Sequence, residues 1–222
     1  MLGIGLSTST HASGSTFHRP YAEEHINFLY NLLFCDNVAL FRSTSTDGES
    51  DLWKSLLAEQ PDLDKLEKIA RNENEEGRTR AIAFSRLRAA GKQVPSKQLL
   101  GLIVEVPQDK GLDVLAAFSD GGVRYLNQSG KVLIYEAPGH PVELLAKELI
   151  VVAQPVVNKL GAWEKERLPP PRRGYVRLTF LASDGLYFGE GPLNAMDKDP
   201  MGGPILAKAT QLLQQAIASA GK

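Results

Sequence analysis

Leu102-Ile103-Val104-Glu105-Val106, Val114-Leu115-Ala116-Ala117-Phe118, Val123-Arg124-Tyr125-Leu126 and Val132-Leu133-Ile134-Tyr135-Glu136 are four short runs that follow one another within residues 102–136. β-Branched and aromatic side chains fill them, as suits a pleated, half-buried surface. Gly, Asp, Asn and Ser separate them. Asp120-Gly121-Gly122 has the composition of a tight hairpin turn, and Asn127 to Gly130 supplies a second. Connections this short join only antiparallel neighbours. The stretch therefore predicts a four-stranded meander, with Pro107 expected to end its first strand.

Further along the chain, Pro141 suits the first position of a helix. Leu145, Leu149, Val152, Val156 and Leu160 give that helix an apolar stripe. Pro155 lies inside the pattern and is expected to kink or split it. Residues 164–173 form a charged, Pro-rich connection. Tyr175 to Leu181, the Ser183-Asp184-Gly185 turn and Leu186 to Phe188 predict a second hairpin, and Pro204 to Ser219 a closing helix. Residues 96–222 thus read β-β-β-β-α-β-β-α, a mainly antiparallel sheet with helices packed on one face. At the level of fold alone, this order resembles the profilin-like or roadblock-like sheets.

The period before Pro95 is 3.6 rather than 2. Ile26, Leu29, Tyr30 and Leu33 predict a helix over 21–35. Asp51 and Asp62 are expected to cap the next two helices, with Pro61 between them. A further helix spans about 75–90 and stops at Gly91. Residues 75–91 resemble one helix of a HEAT-like repeat, but no second copy follows, so a solenoid is not supported. The organisation is a flexible tail over 1–20, a helical region over 21–95 with a polar loop at 43–50, and an α+β domain over 96–222.

Composition removes several function classes. Charged residues make up 23% and apolar ones 43%, enough for a core without metal or disulfide support. Lys and Arg number 25 against 26 acids, so the basic surplus that drives nonspecific nucleic-acid binding is absent. No nucleic-acid partner is expected. Leu149 to Ala153 is typical of the longest apolar stretches and far too short for a membrane span, and residues 1–16 do not read as a secretory signal. The expectation is a cytoplasmic protein without a membrane partner. Cys35 is the only cysteine and sits in an apolar run, where a thiol ordinarily acts as a small buried hydrophobe.

Chemistry-bearing motifs are sparse. His11, His18, His25 and His140 include no i, i+4 pair and there is no cysteine pair, so no metal or cofactor is expected. Neither a nucleophile elbow nor a phosphate-binding loop occurs. Asp199, before the last helix, reads as a capping side chain. Arg78, Arg86 and Arg88 read as a solvated face, and the cations of 164–177, Arg172 and Arg173 among them, as a solvated linker or a contact for an acidic partner.

The corner from Ser183 to Pro204 concentrates what remains. Asp184, Glu190 and Asp197 are the candidate catalytic carboxylates, since general acid–base work needs two such groups held together. Tyr187, Met201, Arg172 and Arg173 are the candidate binding residues. Residues 30–36, 122–131 and 185–192 resemble those of a family of bacterial proteins with no assigned activity, so the resemblance carries over no functional residue. The leading expectation is a non-enzymatic protein–protein interaction module, an adaptor or immunity-type protein. The alternatives are a hydrolase using the acids near 184–199 and a small-ligand sensor built on the sheet.

Overall fold

The computed structural model describes residues 17–42, 50–136 and 138–220. The tail expected before residue 17 and all but the last residue of the loop expected at 43–50 lie outside them. The meander forms as β1 (Leu99–Gln108), β2 (Gly111–Phe118), β3 (Val123–Leu126) and β4 (Val132–Tyr135), and the second hairpin as β5 (Tyr175–Ala182) and β6 (Gly185–Pro192). β5 pairs antiparallel with β1, so the strand order is β4-β3-β2-β1-β5-β6 and the sheet is antiparallel throughout. The chain is α+β.

β1 runs past the predicted stop: Pro107 pairs with Leu112 inside the β1–β2 ladder. The β5 ladder ends at Glu105 opposite Arg177, so beyond that point β1 has a neighbour on one side only. A proline without an N–H is tolerated there as on an edge strand.

Alternate side chains divide the sheet into two cores. Leu102, Val104, Leu115, Ala117, Leu178 and Phe180 pack under α6 (Pro141–Val157) and α8 (Gly202–Ala220). Both long helices of the C-terminal half thus lie on one face, as the alternation requires. Ile103, Leu112, Val114, Ala116 and Phe118 face the other way. There they meet the helical half: α1 (Glu24–Leu32), α2 (Val38–Arg42), α3 (Asp51–Leu57), α4 (Leu63–Arg71) and α5 (Gly77–Ala89). The result is three layers. Burial on both faces explains why Val114–Phe118 is a continuous apolar run rather than an alternating one.

Local chemistry sets the helix ends. Asp62 accepts from the amides of Asp64 and Lys65, as expected, whereas α3 is capped by Ser50 rather than Asp51. Asp199 accepts from Met201 and Gly202 at 2.8 Å each and so caps α8. Those two bonds hold its carboxyl below the usual range. α6 is not split: it runs on through Pro155, which costs the Val151 carbonyl its intrahelical donor but lies in the last turn, with only two helical residues beyond it. At Gly77 an added Cβ would stand 2.5 Å from the Leu100 carbonyl oxygen, so α5 meets the sheet there by backbone contact.

Residues 17–20, assigned to the tail, lie against α1 instead. The His18 amide donates to Asn31 Oδ1 at 3.0 Å, and its ring nitrogen bonds to the Arg167 carbonyl.

Candidate functional site

α6 begins beside the β2–β3 turn, where Glu143 packs on Gly121, and ends near Leu99, whose amide donates to Gln154. α8 lies along it, joined by a Lys208–Glu148 ion pair, and reaches β4, where the Tyr135 hydroxyl donates to the Ala216 carbonyl. These two helices cover the face around the start of β1. Among the described residues, no helix covers the opposite end of β1 and β2. An open groove of about 760 Å³ runs there.

Its floor is Val104, Val106 and Leu115, with Tyr125 from β3. Its wall is the flank of α8 that carries Leu206, Thr210 and Leu213. α7 (Leu193–Met196) closes one end with Leu193, Asn194 and the adjoining Asp197. The local sequence explains the wall. Ile205, Ala209, Leu212 and Ala216 form the stripe that α8 buries against the sheet and α6, each at most 4% exposed. Leu206, Leu213 and Ile217 form a second stripe beside it, and Ile217 is 51% exposed. Leu206 still belongs to the core and Leu213 is half-buried, so it is the C-terminal part of this second stripe that the packing of this chain leaves uncovered.

Two carboxylates belong to the groove. Asp113 accepts from the Gln128 amide at 2.8 Å and from the Tyr125 hydroxyl. Burial, reinforced by Asp113, pushes the Tyr125 phenol up to about 12. Asp197 lies at the α7 end. Among the described residues, no Lys or Arg lines the groove.

The predicted site residues are distributed over three places. Asp184 sits at the β5–β6 turn, where its carboxylate accepts from Ser96 Oγ at 2.9 Å and the Tyr187 hydroxyl at 3.0 Å. Tyr187 is buried, and burial with the Asp184 bond pushes its phenol up to about 12. Glu190 lies six residues along β6, roughly 20 Å away at the rise of an extended strand. Asp197 and the half-buried Met201 both follow α7, and of the two Asp197 reaches the groove. The carboxylates do not converge as an acid–base pair. Arg172 stacks on the Tyr175 ring at 3.9 Å, and Arg173 makes an exposed ion pair with Asp109.

Glu190 belongs to a polar row across the covered sheet face. Glu105, Arg177 and Glu190 are register partners on β1, β5 and β6. Arg177 Nε donates to Glu190 at 2.7 Å, and Nη1 donates to the Pro169 carbonyl at 2.6 Å. Glu105 is fully buried and accepts from the Tyr30 hydroxyl at 2.7 Å, while its second oxygen has no hydrogen-bond partner. Burial raises its carboxyl above the usual range, and the Tyr30 bond and two arginines only partly oppose that. Arg167 packs over the Phe34 ring at 3.8 Å and pairs with Asp36 at 3.1 Å.

The segment around 164–177 is solvated only in part: Lys165, Arg172 and Arg173 are exposed, as expected of a linker, whereas Arg167 and Arg177 are buried. On α5, two of the arginines read as a solvated face bond backbone carbonyls instead. Arg86 donates to the carbonyls of Leu56 and Ala58 at 2.6 Å, and Arg88 to that of Ser183. Cys35 is buried, and burial pushes its thiol up to about 12, the inert behaviour its apolar run implied.

Sequence reasoning missed Asp113, Tyr125 and the groove flank of α8. The readable signal was the second apolar stripe, Leu206, Leu213 and Ile217, on a helix already supplied with one. No protein-family model matches the chain, and no curated protein is significantly similar to it. Among the described residues, no helix is long and apolar enough to cross a membrane, and no group of three or more His, Cys, Asp or Glu is placed to hold a metal ion.

Proposed function

We propose that this protein is a non-catalytic protein–protein interaction module, of the adaptor or immunity type, that receives the apolar face of a partner helix in the groove beside α8. The observation that carries this reading is the incomplete helical layer. α6 and α8 lie side by side on the sheet, and the groove is the vacant third position in the same layer. Helices pack 8–10 Å apart on such surfaces. A helix laid beside α8 would cover the half-buried Leu213 on its flank and the half-buried Val106 beneath it, next to Leu206 and Leu115, which this chain already buries. Its ends would approach Leu193 and Ile217, which are 41% and 51% exposed. An amphipathic helix in an apolar groove is a recurring mode of recognition.

Two features weigh against the alternatives. Asp184 and Glu190 are bonded at separate places and neither lines the groove that Asp197 reaches, which removes the geometric support for a hydrolase. A small-ligand pocket of this size encloses most of its ligand, whereas this groove is open along α8. The reading is tested by capture from host lysate with the wild-type protein and with Leu213→Glu, which sets a charge into the wall without touching the buried stripe. A protein retained by the first and lost from the second supports it. Identical retention by both overturns it.

A further inference from the structure

The charge pattern of the groove says which helices fit it. Among its lining residues Asp113 and Asp197 are charged, both negatively. α8 carries a single charged residue, Lys208, and that side chain is engaged with Glu148 on the α6 side, away from the groove. Nothing on the wall therefore neutralises the two carboxylates. Asp113 already accepts from Gln128 and Tyr125, yet an ionised carboxylate has about four acceptor positions. The apolar floor beside it lowers the local dielectric, which strengthens attraction to a cation and repulsion from an anion alike.

We infer, resting on the groove reading above, that the partner is a basic amphipathic helix. Its apolar stripe, at i, i+3 or i+4, and i+7, lies on Val106, Leu115 and Leu213. Lys or Arg beside that stripe reaches Asp113 on the floor and Asp197 at the α7 end. Helices with acidic flanks are rejected because their carboxylates would face Asp113 and Asp197 with no cation between. Complementary charge of this kind sets partner choice more than total affinity.

The test uses two synthetic peptides of about 18 residues, five helical turns. They share one leucine stripe, and their flanks are Lys and Arg in the first and Glu in the second. Fluorescence anisotropy gives Kd for each on the full chain, on the doubly substituted Asp113→Asn, Asp197→Asn protein, and on Asp197→Asn alone. The basic peptide should bind wild type about tenfold or more tightly than the acidic one, a preference of the size set by one charge-assisted contact. The double variant should reduce that ratio to about twofold, with Asp197→Asn intermediate. Circular dichroism verifies that both variants fold. Equal affinities, or a preference that survives the double substitution, overturn the charge inference and leave the groove reading standing. Binding of neither peptide, or binding unaffected by Leu213→Glu, overturns the groove reading and this inference with it.

Discussion

Tyr30→Phe tests how the helical half is held on the sheet. The substitution deletes one oxygen and preserves the ring, which keeps its edge contacts with Phe34 at 5.2 Å and Tyr21 at 6.2 Å. What disappears is the 2.7 Å bond to a fully buried Glu105 whose other oxygen already lacks a partner. Hydrogen bonds to charged groups contribute roughly 1.5–3 kcal/mol, and an orphaned buried acceptor keeps its full desolvation cost. A loss of about 2 kcal/mol is therefore expected. In a chain of this length that corresponds to a fall in Tm of roughly 4–8 °C. Urea unfolding on the high-pH side of the Glu105 titration, where the carboxyl is ionised, measures it by circular dichroism. In a Glu105→Gln background the partner is neutral, and the same substitution should cost only about 1 kcal/mol. A loss below about 0.5 kcal/mol, or one equal in both backgrounds, would refute the assignment of Tyr30 as the partner that makes Glu105 tolerable.

The same carboxyl gives a pH signature. Its folded-state pKa is raised by burial, so the native protein holds a proton that the unfolded chain releases near the ordinary value of 4.5. Its contribution is present below that value and is lost as pH rises through the raised one. Stability of wild type relative to Glu105→Gln should thus fall on going from pH 4.5 to 8, and parallel unfolding curves would contradict this. Gly77→Ala should lower Tm, because a Cβ at 2.5 Å from the Leu100 carbonyl outweighs alanine's helix preference of about 1 kcal/mol; an unchanged Tm would mean the backbones separate freely. Arg167→Met should cost about 3 kcal/mol, since it uncouples a largely buried ion pair. Arg173→Ala, in a pair whose side chains are 74% and 76% exposed, should change stability by less than about 1 kcal/mol, and equal effects in urea titrations would mean that burial does not rank these pairs.

How much of this was legible in the sequence depended on the range of the interaction. The two hairpins were readable because Asp120-Gly121-Gly122 and Ser183-Asp184-Gly185 are local turn signals between β-rich runs. The helices of the N-terminal half were readable from their period, and their placement opposite α6 and α8 was latent in Val114–Phe118, too uniformly apolar for a sheet open on one side. Pro107 misled because its tolerance depends on where β5 stops pairing, which is not local information. Arg167 and Arg177 looked solvated because nothing nearby in sequence announces Phe34, Asp36 or Glu105. The acids of the Ser183–Pro204 corner lie close in sequence, but an extended strand carries Asp184 and Glu190 apart. Asp113 and Tyr125 belong to the meander, and only the vacancy left above them by α6 and α8 gives them a shared groove.

A photo-crosslinking amino acid placed at Leu213 on the groove wall, and separately at Val151 on the outer face of α6, tests the central claim most directly. Both positions lie on helices of the same layer, and Val151 is itself 71% exposed, so apolar exposure alone does not favour Leu213. Illumination with host proteins present should give a discrete adduct from position 213 and none from 151. An adduct from position 151 with none from 213, or the same adduct from both, would contradict the assignment of the groove as the docking surface.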